Sequence, residues 1–261
     1  MPTLADLRTL AAAGPVAVAV VQAVKGSAPR EEGAWMAITS SGILGTVGGG
    51  EAELRAIKAA RQLLAEHRSR ETLALPLGPE LDQCCGGHMT VEIAVVDGAV
   101  GAAQPLWDGG PVLNDPLNAP VIVYGAGHVG AALVTALAPL PFSVNWVDGR
   151  HESEWAASAP IPCQRLAIPA PAAAAAPDDA IHVVLTHSHA LDLEIVATIL
   201  ARPHRFCGLI GSATKRSVFT SRLRERGIAT DTLTCPIGLP GIEGKAPAII
   251  AASAAAQLLS L

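Results

Sequence analysis

No stretch of this chain reaches the ~18 uninterrupted apolar residues that a membrane-spanning helix needs. Hydrophobic residues make up 50% of its 261 positions, but much of that share is alanine. The apolar stretch from Ala11 to Val21 is broken by Gly14-Pro15 and shows neither a basic leader nor a clear small-residue cleavage site. No signal peptide is therefore expected, and the expected location is cytoplasmic. A basic excess is missing too: 18 Lys and Arg are mixed along the chain with 23 Asp and Glu, for a formal net charge of −5. That leaves no broad positive footprint for nucleic acid. Nor is there a cysteine framework. The five cysteines are odd in number and form no C-x-x-C pair, which fits a reducing compartment and argues against structural disulfides and structural zinc. Small molecules and other proteins remain as partners, with no nucleic acid and no membrane.

What the chain does have is V-I-V-Y-G-A-G-H-V-G at Val121 to Gly130, a short apolar strand pattern running into glycines spaced G-x-G-x-x-G and then into helix-forming Ala131, Ala132 and Leu133. Gly125 permits the tight turn, and Gly127 removes the side chain that would hold a phosphate away from the backbone. Gly130 lets the helix pack closely on its strand. The helix N-terminus, opening at His128, then presents unpaired N–H donors to an anion. Asp148 closes the next candidate strand, 21 positions beyond Gly127, where a dinucleotide-binding fold places the acid that bonds a ribose diol. Strand, helix and distal acid together point to a nucleotide-like ligand, NAD among them; the alternative is a turn that keeps the fold without a ligand.

The turn lies halfway along the chain, so a separate unit must precede it. There the β-rich run at residues 16–24 is followed by a candidate hairpin, Trp35 to Thr39 and Ile43 to Val47, turning at Ser41-Gly42. After three glycines, Glu51 to His67 has helical spacing, and two further strands are expected around Glu71 to Leu75 and Thr90 to Val96. These make a small α+β domain over residues 1–100. Residues 101–118, rich in Gly, Pro, Asn and Asp, are expected to be a linker. Over residues 119–261 strands and helices alternate, which predicts α/β architecture: a Rossmann-like doubly wound parallel sheet. The stretch from Ala156 to Pro177 is expected to be a loose crossover. Ala246 to Leu259 is an apolar helix that would pack on the sheet or between protomers of a homo-oligomer.

Further candidates cluster at strand ends. Gly211 and Ser212 suit the start of a helix, with Lys215 and Arg216 either adding charge near a phosphate or continuing a solvated basic face. Thr186-His187-Ser188-His189-Ala190-Leu191-Asp192 sits at the carboxyl end of a strand; His187 and His189 either shape a pocket or belong to a loop capped by Asp192. Gln83-Cys84-Cys85-Gly86-Gly87 sets two adjacent thiols beside flexible glycines. Thiolates there suit a transition metal or a transferable sulfur, against the usual fate of free cysteine as a small buried hydrophobe.

Taken together, Gly26-Ser27-Ala28-Pro29-Arg30, Gly45-Thr46-Val47-Gly48-Gly49-Gly50, Gln83 to Gly87, the Gly125 turn, Gly208 to Arg216, and Pro236-Ile237-Gly238-Leu239 with Gly244-Lys245-Ala246-Pro247 resemble the xanthine dehydrogenase accessory protein family, the XdhC/CoxI group of molybdenum cofactor chaperones. The resemblance implies a protein that binds molybdenum cofactor (molybdopterin) and protects it while a cysteine desulfurase installs its sulfido ligand. It then delivers the cofactor to the xanthine dehydrogenase apo-enzyme, with no chemical step required of this chain. Where some relatives carry a cysteine after the triple glycine this chain has Glu51, so the resemblance leaves the thiol role, and any molybdenum contact, to Cys85 and Cys84. The other reading is an NAD-dependent oxidoreductase with Asp148 on the ribose and His187 or His189 as acid/base.

Overall fold

A computed structural model describes residues 2–78, 86–98, 107, 109–113, 119–155, 159–166 and 169–261. The chain divides into two compact units, Met1–Pro116 and Leu117–Leu261.

The first unit is an antiparallel sheet of β1 (Val16–Lys25), β2 (Trp35–Ile38), β3 (Ile43–Gly45), β4 (Arg70–Pro76) and β5 (His88–Val96), in the order β3-β2-β1-β5-β4. A helix lies on each face. Alternate residues of a strand point to opposite faces, and in β1 Ala17, Ala19 and Val21 join Ala52, Ala56, Ala60 and Leu63 of α2 (Gly50–Ala65). Val16, Val18 and Val20 join Leu4, Leu7 and Ala11 of α1 (Leu4–Ala13). Burial on both sides explains why β1 reads as a continuous apolar run rather than an alternating one. Helix α1 was not expected from the sequence. Its signal was a capping box, in which Thr3 accepts from the Asp6 amide while the Asp6 carboxylate accepts from the Thr3 amide at 2.8 Å.

The second unit is a six-stranded, wholly parallel sheet of β6 (Ala119–Tyr124), β7 (Phe142–Asp148), β8 (Cys163–Arg165), β9 (Ile181–Val184), β10 (Phe206–Leu209) and β11 (Leu233–Thr234). Its order is β11-β10-β9-β6-β7-β8. The chain winds outward from β6 in one direction, then returns to lay β9 on the other side of it. The switch between β6 and β9 opens a crevice at the carboxyl ends of the strands, where ligands bind in such sheets. Val121 and Val123 face α3 (His128–Leu137) and α7 (Pro247–Leu259), while Ile122 and Tyr124 face the side built with α5 (His189–Leu200) and α6 (Ala213–Glu225). The terminal apolar helix thus lies against its own sheet. The crossover expected to be loose holds β8 and a short helix, α4 (Ala170–Ala174). Three-residue pairing and an Ala/Pro composition left no periodicity to read there.

One buried pair inside this sheet carries a pH-dependent cost. His182, fully buried on β9, shares a 2.9 Å hydrogen bond through Nδ1 with the Tyr124 hydroxyl, while its Nε2 has no partner among the described residues. Burial, with the charges of His204 and Arg202, holds the imidazole down at about 4. Above pH ~6.5 it is neutral in folded and unfolded chains alike. Between there and about 4 only the unfolded chain takes up the proton, so stability falls by about 3 kcal/mol as the pH drops through that window. Denaturant titrations at pH 7 and 4.5 are expected to show this loss, and His182→Leu to abolish most of its slope; an unchanged slope in the variant would assign the acid sensitivity elsewhere.

Candidate functional site

Strand β6 ends in the glycine turn. At Gly125 φ is +126°, and a Cβ there would lie 2.4 Å from the Leu185 carbonyl oxygen. At Gly130 a Cβ would sit 2.0 Å from the Gly125 carbonyl oxygen, so helix α3 crosses its own turn at a separation only glycine allows. Gly127 is different. Its φ of −83° suits any residue, and a Cβ would meet nothing within 4 Å. Among the described residues nothing fills the space beside Gly127. Gly130→Ala is therefore expected to lower stability by about 1–3 kcal/mol, and Gly127→Ala, which meets no clash and only weakens a helix cap, by at most about 1 kcal/mol, both by chemical denaturation. A fully stable Gly130→Ala chain would contradict this packing.

The turn is tied down by Asp148. Its Oδ2 accepts from the Ala126 amide at 2.6 Å and from Arg150 Nη2 at 2.8 Å, and its Oδ1 accepts from the Arg150 amide at 2.7 Å and from Nε at 3.1 Å. Burial pushes this carboxyl up, but the guanidinium and the two amides outweigh it and hold it below the usual carboxylate range. Both oxygens are thus engaged by the protein itself. Asp148 thus ties the turn to Arg150.

On the other side of the switch, Asp192 of α5 is completely buried. Its Oδ1 accepts from the Thr186 amide at 2.9 Å and hydroxyl at 2.7 Å, and its Oδ2 pairs with Lys215 Nζ at 2.7 Å. Lys215 Nζ also donates to the Ile210 carbonyl at 3.0 Å. Nζ also lies 5.4 Å from the centre of the Phe219 ring. Gly127, His128, Gly130, Arg150, His187 and Lys215 line one cavity of about 310 Å³. A helix N-terminus, a guanidinium and an ammonium converge there, and that combination suits an anion such as a phosphate.

Of the residues expected from sequence, the structure brings Gly127, His128, Gly130, His187 and Lys215 to this cavity, with Gly125 beneath it. His189 points elsewhere, edge-on to Phe219 at 6.5 Å between centroids. Ser212 is occupied as the cap of α6, accepting from the Lys215 amide at 3.2 Å. Gly211 lines a neighbouring cavity. Sequence reasoning missed Arg150, whose signal was a basic residue two places beyond the strand-closing acid. It offered Asp192 as a loop cap in one of two readings, without its partner on α6. Among the described residues no three His, Cys, Asp or Glu side chains gather as a metal site.

In the first unit the glycine motifs converge at one end of the sheet. Gly87 approaches Ser27 so closely that a Cβ would fall 2.1 Å from its carbonyl oxygen, and a Cβ at Gly48 would fall 2.4 Å from Pro29. Arg30 Nη1 donates to the Thr46 carbonyl at 3.1 Å. Glu53 fills the turn before α2, its Oε2 accepting from the amides of Val47 and Gly49 and from the Thr46 hydroxyl. Glu51 pairs outward with Arg55 at 3.1 Å. Three motifs far apart in sequence thus form one loop cluster, with Gly86 and Gly87 in it. Cys84 and Cys85 lie outside the described residues.

A six-stranded parallel sheet in this order, with a glycine turn at its switch point, defines a Rossmann-type domain, joined here to an antiparallel α+β unit. The family described as XdhC Rossmann domain matches residues 121–258, and that described as XdhC and CoxI family matches residues 9–75. The chain belongs to the XdhC/CoxI family. It is 26% identical over 258 residues to the uncharacterized protein YqeB of Escherichia coli strain K12, covering 95% of this chain and 43% of that one. The chain therefore spans less than half the length of that curated relative. The crystal structure of a xanthine dehydrogenase from Bacillus halodurans shares the fold, with a TM-score of 0.77 and 22% identity over 99% of this chain and 95% of that one. No helix among the described residues is long and apolar enough to cross a membrane.

Proposed function

We propose that this chain is a maturation factor for xanthine dehydrogenase or a related molybdenum hydroxylase, holding molybdenum cofactor as cargo and delivering it to the apo-enzyme. The observation that carries this reading is the open backbone over Gly127, flanked by Arg150 and Lys215, in a chain of the XdhC/CoxI family. Molybdopterin brings a phosphate to that turn. An NAD-dependent reaction finds less support, because the family descriptions that match this chain are those of XdhC and CoxI. The residues that hold the cargo are Gly127, His128, Arg150 and Lys215 around the phosphate, with His187 at the rim.

The metal end of the cargo, and the exchange with a cysteine desulfurase, fall to Cys85 together with Cys84. Elimination among the other cysteines supports this. Burial pushes the thiols of Cys163 and Cys207 up to about 12 and raises that of Cys235 as well, so none of the three supplies a thiolate near neutral pH. The test is to purify the chain from cells able and unable to make molybdopterin and to measure pterin fluorescence, phosphorus and molybdenum. Cofactor is expected only from the first, transferable to apo-xanthine dehydrogenase with recovery of activity. Cys85→Ala is expected to lower molybdenum retention about tenfold, which is about 1.4 kcal/mol, with folding intact. Bound NAD without pterin would overturn the reading.

A further inference from the structure

A second cavity of about 510 Å³ opens beside the phosphate turn, between the strand β10 end and the first turns of α7. Ile210 lines both cavities. The two differ in chemistry. Around the first stand Arg150 and Lys215; among the described residues the second has no charged side chain in its wall, which is made of Ile210, Gly211, the loop after β11 and Ile249, Ile250 and Ser253. The partition between them is a single stretch of backbone. Lys215 Nζ holds the Ile210 carbonyl, and a Cβ at Gly211 would strike the Lys215 side chain at 2.5 Å.

The loop is built as a wall and is tied to α7 from behind. The Gly238 amide donates to Gln257 Oε1 at 2.6 Å and the Leu239 amide to Ser253 Oγ at 2.9 Å. Gly238, with φ of +121°, lies so close to α7 that a Cβ would come within 2.6 Å of Ser253 Oγ. On the open side Ile242 and Ile249 are left 47% and 39% exposed. Exposed branched residues at the mouth of an uncharged cavity gain by being covered with the face of a planar ring.

We infer that this cavity is the seat for the planar, uncharged heterocycle of the same ligand whose anionic end lies on Gly127, so that the ligand spans the Ile210 partition. The inference rests on the cargo reading above for the identity of that heterocycle, a pterin. In this sheet order the ligand crosses from the first glycine turn toward the ends of β9 and β10, which is the direction in which the cavity lies. The seat makes the segment from Pro236 to Ile250 a determinant of which heterocycle is accepted, while the glycine turn is indifferent to it.

Neopterin, a pterin without phosphate, probes this seat alone. Fluorescence titration is expected to show binding to the unaltered chain and equal binding to Gly127→Asp. The double change Ile242→Asp and Ile249→Asp is expected to weaken neopterin at least about tenfold, and intact molybdopterin by a similar factor. Both positions are exposed, and an acid at 249 falls in the first turn of α7 where the helix dipole favours it, so folding is retained. Neopterin binding indifferent to the double change, or no binding by the unaltered chain, overturns the seat. Neopterin binding that follows the double change, in a chain that retains no molybdopterin, overturns the cargo reading and upholds the seat.

Discussion

Gly127→Asp is expected to abolish cofactor retention, with a loss of about a hundredfold or more, while leaving the fold at least as stable as before. The two effects have separate origins. Position 127 is the N-cap of α3, with extended backbone and empty space where a side chain would go. An aspartate there caps the helix and adds at most a few tenths of a kcal/mol relative to glycine. The same carboxylate takes the amides of the first turn and sets a negative charge where the phosphate belongs. Loss of charge-assisted hydrogen bonds plus like-charge repulsion is worth about 3 kcal/mol, or about a hundredfold in affinity. Equilibrium dialysis of cofactor, beside a denaturation curve, checks both halves. Retention close to that of the unaltered chain would remove the phosphate from this turn.

The second large effect concerns Asp192. Its carboxylate is fully buried and Lys215 is 13% exposed at the side chain, so neither charge is well solvated without the other. Asp192→Ala is expected to cost about 3–5 kcal/mol, because it strands the ammonium and frees the Thr186 amide and hydroxyl. Lys215→Met strands the carboxylate and is expected to cost a similar amount. The double change of Asp192→Asn with Lys215→Met removes both charges and is expected to recover most of the loss, with the asparagine still accepting from Thr186. Urea denaturation of Asp192→Asn, Lys215→Met and the two combined checks this double-mutant cycle. Additive losses would show that the pair is not coupled and that the wall of the cavity is held by something else.

Much of the second unit was legible because its signals are local. A strand, a turn that tolerates only glycine at positions 125 and 130, and a helix follow one another within a few residues, and the parallel sheet follows from their alternation. Strand β1 was legible for a related reason, since burial on both faces leaves an unbroken apolar run. The Asp192–Lys215 pair was not legible, because it joins two helices that the sequence separates by a strand and a loop. The contact between Asp148 and Arg150 was not legible for the same cause. Spacing placed an acid at the strand end correctly, but whether its oxygens face a ribose or the loop amide of Ala126 depends on Arg150 and on where the turn lies in space. The 510 Å³ cavity is made by loop backbone and α7, and neither hydrophobic period nor motif marks such a concavity.

The claim beneath the rest is that an anion sits on the backbone at Gly127. A 15N–1H spectrum of the chain titrated with molybdopterin tests it most directly, since each amide reports its own surroundings. The account predicts the largest shifts at Gly127, His128, Val129 and Gly130, with the Arg150 side chain moving alongside and inorganic phosphate reproducing part of the pattern. Saturable binding that leaves those amides still and shifts others instead would contradict it.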